Sequence, residues 1–199
     1  AGAGMNEPVT ALTDYALAAV CGVLGWRLGS LSRFWMLAFL ALGLAALLGG
    51  TWHGFWQGDA LWKATTLSVG VASFGMVAGS ARATTGSVAQ TLLVGLAAVK
   101  LAAYAAWMLF HDDFIWVVLD TGIALLLVGL MHLRAANGWM LAGVAASVLA
   151  GLAQASGVAL HAHFNHNDLY HVIQAGAMLL LYRGVKRYAT GPCGPSTRM

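Results

Sequence analysis

The segment HFNHNDLYHVIQ, residues 163–174, places three histidines, two asparagines and one aspartate within twelve positions. Asn167 lies four residues before His171, and Asp168 lies three residues before it. In a helix, both spacings bring the side chains onto one face, and Gln174 continues that face by one turn. Imidazole nitrogen and carboxylate oxygen are common zinc ligands, and a catalytic zinc leaves one coordination position open for water. The spacing therefore predicts part of a zinc site.

A further ligand is expected from a distant part of the chain, because one helix face does not surround an ion. His53, in the stretch TWHGF, is the candidate. The predicted metal ligands are His53, His171 and one of His166 or Asp168. A local role remains open for the same segment: Asn165 or Asn167 can cap a helix N-terminus, where Asp168 would also interact favourably with the helix dipole.

Composition determines the class of protein that must position these residues. The chain is 60% hydrophobic and only 9% charged, and its apolar runs reach the roughly 20 residues that cross a bilayer as a helix. We predict an all-α polytopic membrane protein, a seven-transmembrane helix bundle. The predicted spans are residues 9–28, 33–56, 61–82, 88–110, 114–134, 138–160 and 167–188. Residues 5–190 are expected to form one domain, with residues 1–4 a cloning remnant and residues 191–199 a C-terminal tail.

The basic residues predict the orientation of this bundle, since Lys and Arg favour cytoplasmic connections. Arg27 and Arg33 flank the first connection, Arg82 and Arg134 lie at the third and fifth, and four more basic residues follow position 182. The N-terminus is therefore expected outside and the C-terminus in the cytoplasm. The net charge of +3 is explained by topology and anionic lipid, so no nucleic-acid partner is predicted. The high Ala and Gly content suggests a bacterial inner membrane, with the polar segment on the periplasmic side.

Two ionisable residues are predicted deeper in the membrane. Lys100 lies within the fourth span and Asp120 within the fifth, and the long lysine stem could bring the two groups together. Charged groups inside a membrane are costly, so they mark either an internal pair or a functional site. A structural pair and a coupling role in proton or substrate movement both remain open.

These features resemble the CREST superfamily of alkaline ceramidases, progestin and adipoQ receptors, and hydrolases that remodel GPI lipids. That superfamily has seven transmembrane helices and a zinc site made from a histidine late in the second helix and an HxxxH pair early in the seventh. His53 matches the first histidine, and His171 matches the second member of the pair. The chain departs from the pattern at Asn167, where the family has histidine, and at Gly49, where it has serine. Thr51 is the nearest hydroxyl substitute.

The resemblance implies a hydrolase in which a zinc-activated water attacks an amide or ester carbonyl of a membrane lipid. Asp59 is the carboxylate nearest to the family's aspartate, and either Asp59 or Asp168 would act as general base. Lys63 would stabilise the developing oxyanion charge, and Asn167 and Thr51 would donate hydrogen bonds to it. The lipid would enter the site laterally from the bilayer.

Two other classes of protein fit the same residues. A haem protein would use His53 and His171 as axial ligands from facing helices. A transporter or receptor would line a polar path with His, Asp and Lys side chains. A path of that kind predicts polar residues throughout the depth of the bundle, whereas the predicted polar residues concentrate toward the outer face.

Overall fold

The computed structural model describes residues 6–161 and 163–190, and all regular secondary structure in these ranges is helical apart from one isolated bridge between His161 and Phe164. The prediction of an all-α bundle of seven helices is confirmed for this part of the chain. The remnant expected at residues 1–4 and the tail at residues 191–199 lie outside the described residues. The helices are α1 (Pro8–Leu28), α2 (Arg33–Gly54), α3 (Asp59–Thr84), α4 (Ser87–Met108), α5 (Ile115–Arg134), α6 (Gly138–Ala155) and α7 (His166–Thr190).

Six of the helices, α1 to α6, are long and apolar enough to cross a membrane. With 18 to 26 residues each, they extend about 27 to 39 Å at 1.5 Å per residue, close to the thickness of a hydrocarbon core. The last helix, α7, has sufficient length at 25 residues. Its hydropathy is lower because its first turn contains His166, Asn167 and Asp168 and its last turns contain basic residues.

The sixth helix is shorter than predicted, because it ends at Ala155 and not near residue 160. Gly157 has a φ of +66°, a left-handed conformation that glycine adopts without strain and that commonly terminates helices. The apolar residues that follow, such as Val158, extend the hydrophobic run without extending the helix. Beyond them the chain folds back on itself, with the N–H of Phe164 donating to the carbonyl of His161 at 3.0 Å.

Helix packing brings the two ends of the chain together. The first helix packs against both α2 and α7, while α6 packs on α7, and α3 contacts α2, α4 and α5. A continuous apolar core runs through α1, α2 and α7 and includes Leu17, Phe39 and Leu181, each at most 2% exposed. The fourth helix lies at the periphery, since only Ala97, Tyr104 and Met108 are buried in it. Residues distant in sequence therefore meet where α1, α2 and α7 adjoin.

Close approach of α2 and α3 depends on Gly75. A Cβ atom at this position would lie 2.8 Å from both the backbone nitrogen of Ala38 and the carbonyl oxygen of Phe34. Since backbone atoms do not move aside as a side-chain terminus does, α2 and α3 would have to separate. Small residues at such contacts allow membrane helices to pack closely.

We expect Gly75→Ala to lower the free energy of unfolding by about 1 to 3 kcal/mol, the usual cost of overpacking a filled contact. The measurement is SDS-induced unfolding in mixed micelles, followed by circular dichroism. The matched control is Gly95→Ala in α4, where a Cβ would meet nothing within 4 Å. The control should leave stability unchanged or slightly increase it, because alanine favours the helix. Equal effects of the two substitutions would contradict the proposed close approach.

Candidate polar site between α1, α2 and α7

The centre of the site is a contact between Asp14 of α1 and His171 of α7. Nε2 of His171 lies 3.1 Å from Oδ1 of Asp14, and the two residues are only 7% and 4% exposed. Asp14 lies six residues after the start of α1, which is about 9 Å along the helix axis. A buried carboxylate is costly unless it has a partner, so this contact joins α1 to α7 at a defined depth.

Thr13 holds the other nitrogen of the same imidazole. Its Oγ1 lies 3.0 Å from Nδ1 of His171 and also donates to the carbonyl of Thr10 at 3.0 Å. A hydroxyl has one proton, so Thr13 then accepts the Nδ1–H of His171. Nε2 of His171 consequently presents its lone pair, or a second proton, to Asp14. A cation, either a proton or a metal ion, is required between Nε2 and the carboxylate.

A glycine of α2 makes room for the aspartate. A Cβ at Gly50 would lie 2.9 Å from the Asp14 Cβ and 3.1 Å from the carbonyl oxygen of Ala11, whereas one at Gly49 would make an ordinary van der Waals contact with Oδ2 of Asp14 at 3.4 Å. The close approach of α1 and α2 beside Asp14 therefore depends on Gly50.

His53 reaches the same region from the end of α2. Its Nδ1 lies 2.9 Å from Oε2 of Glu7. Asn6, the residue before Glu7, donates its backbone N–H to the carbonyl of Gly54 at 3.2 Å, so the start of the chain is bound to the end of α2. The side chain of His53 is 17% exposed, and His53 follows Gly50 by three residues on α2. Its Nε2 has no hydrogen-bond partner among residues 6–161 and 163–190.

The start of α7 is organised by reciprocal capping. The side-chain oxygen of Asn165 accepts the backbone N–H groups of Asn167 at 2.8 Å and Asp168 at 3.3 Å. In return, Oδ2 of Asp168 accepts the backbone N–H of Asn165 at 2.7 Å. This is the capping-box arrangement, so the local role foreseen for Asn165 and Asp168 is present. Oδ1 of Asp168 also lies 3.5 Å from the hydroxyl of Thr13, which connects the cap to the His171 contact.

Two predicted site residues on α7 do not face this cluster. His166 is the first residue of α7 and is partly exposed, and its side chain makes no hydrogen bond or ion pair with the described residues. Asn167 accepts a hydrogen bond from Nε2 of Gln154 at 3.3 Å, so its side chain points toward α6. Of the two candidates for a third metal ligand, His166 and Asp168, only Asp168 contacts a residue of the cluster, through the Thr13 hydroxyl.

The remaining predicted catalytic residues have other partners. Thr51 donates to the carbonyl of Leu47 at 2.9 Å and lies 3.2 Å from the hydroxyl of Tyr15. Asp59 is exposed at the first position of α3. Lys63 donates to the carbonyl of Leu109 at 2.9 Å and pairs with Asp112 at 2.9 Å. Its ammonium group thus binds the C-terminal end of α4, which is electrostatically favourable.

Lys100 and Asp120 form an ion pair that joins α4 to α5. The Asp120 side chain is 4% exposed and the Lys100 side chain is 22% exposed. One turn away on α4, the hydroxyl of Tyr104 donates to the carbonyl of Thr66 in α3 at 3.0 Å. These contacts belong to the α3, α4 and α5 side of the bundle, apart from the cluster around His171.

Sequence reasoning did not select Asp14, Thr13 or Glu7 as partners of the histidines. A signal for two of them was available: Thr10, Thr13 and Asp14 recur at intervals of three and four residues, so they share one face of α1. No group of three or more His, Cys, Asp and Glu side chains forms a preassembled metal centre within the described ranges. Each of the two histidines instead contacts one carboxylate: His53 contacts Glu7, and His171 contacts Asp14.

The fold and the site define a helical bundle of membrane-spanning composition with a buried His–Asp contact near one end. The chain belongs to the family described as "Family of unknown function (DUF6962)", whose sequence profile matches residues 9–190. No curated protein and no solved structure matches the chain.

Proposed function

We propose that the chain is a zinc-dependent membrane hydrolase that cleaves an amide or ester bond of a lipid. One observation carries the proposal: Nδ1 of His53 and Nδ1 of His171 are both held by protein side chains, while Nε2 of His171 faces the buried carboxylate of Asp14. Histidines that bind metals are oriented in this way, because a hydrogen bond to one ring nitrogen directs the other toward the ion. The proposed ligands are Nε2 of His53, Nε2 of His171 and a carboxylate oxygen of Asp14.

The spacing of the central pair suits an ion. Two ligand atoms each about 2.0 to 2.1 Å from a tetrahedral zinc are separated by about 3.3 Å. Nε2 of His171 and Oδ1 of Asp14 are 3.1 Å apart, so zinc could replace the proton between them with little movement. His53 would complete the set by turning its Nε2 toward this pair. Asp14 thereby takes the ligand position for which His166 and Asp168 were the sequence candidates.

A haem fits the same histidines less well. The Asp14 side chain lies beside His171, and α2 approaches α1 closely at Gly50. A macrocycle between His53 and His171 would have to displace both the carboxylate and this helix contact. The packing therefore favours a small ion over haem.

The surrounding residues have distinct roles in this proposal. Zinc, when bound, would polarise a substrate carbonyl and activate a water molecule. Oδ2 of Asp14 accepts no hydrogen bond from the described residues, so it is available to accept a proton from that water. Thr13 and Asp168 are positioning residues, since the first orients the His171 ring and the second fixes the start of α7.

The proposed location follows from the charges. We take α7 as a seventh span and assign the N-terminus to the outer side and the C-terminus to the cytoplasm, because basic residues gather at the ends of α1, α3, α5 and α7. In a bacterial inner membrane the site would then lie toward the periplasm. A lipid in the outer leaflet could reach it laterally.

Metal analysis tests the site. Protein purified without chelators from zinc-supplemented cells should contain about one zinc per chain and lack the intense Soret band of a haem protein. We expect His171→Ala, His53→Ala and Asp14→Asn each to lower zinc affinity about tenfold or more. His163→Ala is the control, because His163 is exposed outside the cluster. Zinc-free wild-type protein, or undiminished zinc in all three variants, would refute the metal site.

Catalysis requires a separate measurement. Zinc-loaded protein in mixed micelles should release fatty acid from at least one member of a panel of N-acyl and ester-linked lipids. The Asp14→Asn variant should lose this release even at zinc concentrations that restore occupancy, because the proton acceptor is gone. Stoichiometric zinc with no release from any lipid of the panel would reject the hydrolase and leave a zinc-binding membrane protein.

A further inference from the structure

A second site lies at the opposite end of the bundle, where α1, α6 and α7 meet. A cavity of about 440 Å³ opens there, and its polar lining consists of Arg27, Arg183, Lys186, Trp139 and Tyr182. Arg27 follows Asp14 by thirteen positions on α1, which is about 20 Å along the helix. This cavity is therefore distinct from the proposed zinc site.

The cavity carries a concentrated positive charge. No acidic residue lines it, and within the described ranges neither Arg27 nor Arg183 has an acidic side chain within ion-pair distance. The guanidinium of Arg183 lies 5.1 Å from the centre of the Trp139 ring, and the ammonium of Lys186 lies 5.7 Å from that of Tyr182. The aromatic contact at Trp139 orients the Arg183 guanidinium without neutralising it.

An apolar groove continues from the cavity toward the middle of the bundle. It has a volume of about 340 Å³ and is lined by Ala19, Val20, Val23, Leu24 and Leu179. The last two residues also line the basic cavity, so the two spaces adjoin. From Ala19 to Arg27 is eight residues, or about 12 Å of helix. The combined shape is a charged end joined to an apolar channel along α1 and α7.

We propose that this composite groove is a binding site for an anionic membrane phospholipid. The lipid phosphate would contact Arg27 and Arg183, and the upper part of one acyl chain would lie against Val20, Val23 and Leu179. Basic pockets between membrane helices bind anionic headgroups for this reason. A zwitterionic lipid fits less well, because its ammonium group would be brought close to the guanidinium groups of Arg27 and Arg183. Inorganic phosphate would occupy the charged end but would leave the apolar groove unfilled.

The test compares lipid retention by purified protein, measured by native mass spectrometry after equilibration with micelles containing phosphatidylglycerol or phosphatidylcholine. Wild-type protein should retain phosphatidylglycerol in preference to phosphatidylcholine. The double variant Arg27→Gln with Arg183→Gln should reduce that retention about tenfold or more, since each cation near an anionic headgroup contributes measurably to binding. Millimolar inorganic phosphate should not displace the lipid.

The matched control removes the same charge from the same end of the bundle. Arg82→Gln with Arg134→Gln alters the last turns of α3 and α5, outside the cavity, and should leave retention within about twofold of wild type if general electrostatic attraction is minor. Leu179→Trp should also lower lipid retention by filling the shared wall of the two spaces. Equal losses in the two double variants, or no preference for phosphatidylglycerol, would overturn the proposal. Neither result depends on whether zinc binds at His171.

Discussion

Replacing His171 with leucine in zinc-depleted protein is expected to lower the free energy of unfolding by about 1 to 3 kcal/mol, the cost of leaving a buried polar group without its hydrogen-bond partner. Asp14 would keep its carboxyl group in a site that is 4% exposed without the imidazole that contacts it. The Thr13 hydroxyl would also lose its partner at Nδ1. SDS-induced unfolding in mixed micelles measures the effect independently of metal binding.

A double variant distinguishes a pairing effect from a simple loss of packing. Asp14→Leu combined with His171→Leu removes both polar groups, so it should be more stable than His171→Leu alone. His163→Leu, at an exposed position of the connection between α6 and α7, should change stability by less than about 0.5 kcal/mol. A cost for the double variant equal to the sum of the two single costs would show that Asp14 and His171 do not stabilise each other.

The second large effect is expected at Lys100. Lys100→Met should lower the free energy of unfolding by about 3 to 5 kcal/mol, because Asp120 would remain charged or unpaired inside the bundle. Asp120 is the more buried partner, with its side chain 4% exposed, and its Oδ2 already lacks a hydrogen-bond partner among the described residues. The same unfolding measurement applies.

The double variant Lys100→Met with Asp120→Leu should be more stable than Lys100→Met alone. That recovery would show that the loss in the single variant comes from leaving Asp120 without its partner. The comparison is Asp112→Asn, which breaks the Lys63 pair where the carboxylate is 63% exposed. Solvent screening limits that effect to about 1 kcal/mol or less. If Lys100→Met costs no more than Asp112→Asn, the pair is not structural. A coupling role for Lys100 and Asp120 would then become the stronger hypothesis.

Together, these substitutions separate two buried polar regions with different positions in the fold. The Asp14 and His171 contact joins the first helix to the last, whereas the Lys100 and Asp120 pair attaches the peripheral α4 to α5. A stability loss at both would show that each contact holds its two helices together. Zinc content then decides whether the first region does more than hold α1 against α7.

Local sequence pattern predicted the helices well because each one satisfies its own backbone hydrogen bonds, and a long apolar run is sufficient to indicate it. The first helix was predicted to start at residue 9 and starts at Pro8, and the fifth was predicted at 114–134 and spans Ile115–Arg134. The prediction was wrong at the end of α6, because the apolar sequence continues past Gly157 but the helix ends at Ala155. One glycine conformation ended the helix there.

The sequence by itself determined the helical class, the apolar composition and the presence of His53 and His171 near the same end of their helices. Only the tertiary structure decided that Asp14 is the partner of His171, that Glu7 holds His53, and that Lys63 binds the end of α4. The physical reason is that spacing along one helix defines which side chains share a face, but not which helix that face meets. That choice depends on close packing between helices, and at this site on Gly50, whose lack of a side chain admits Asp14 between α1 and α2.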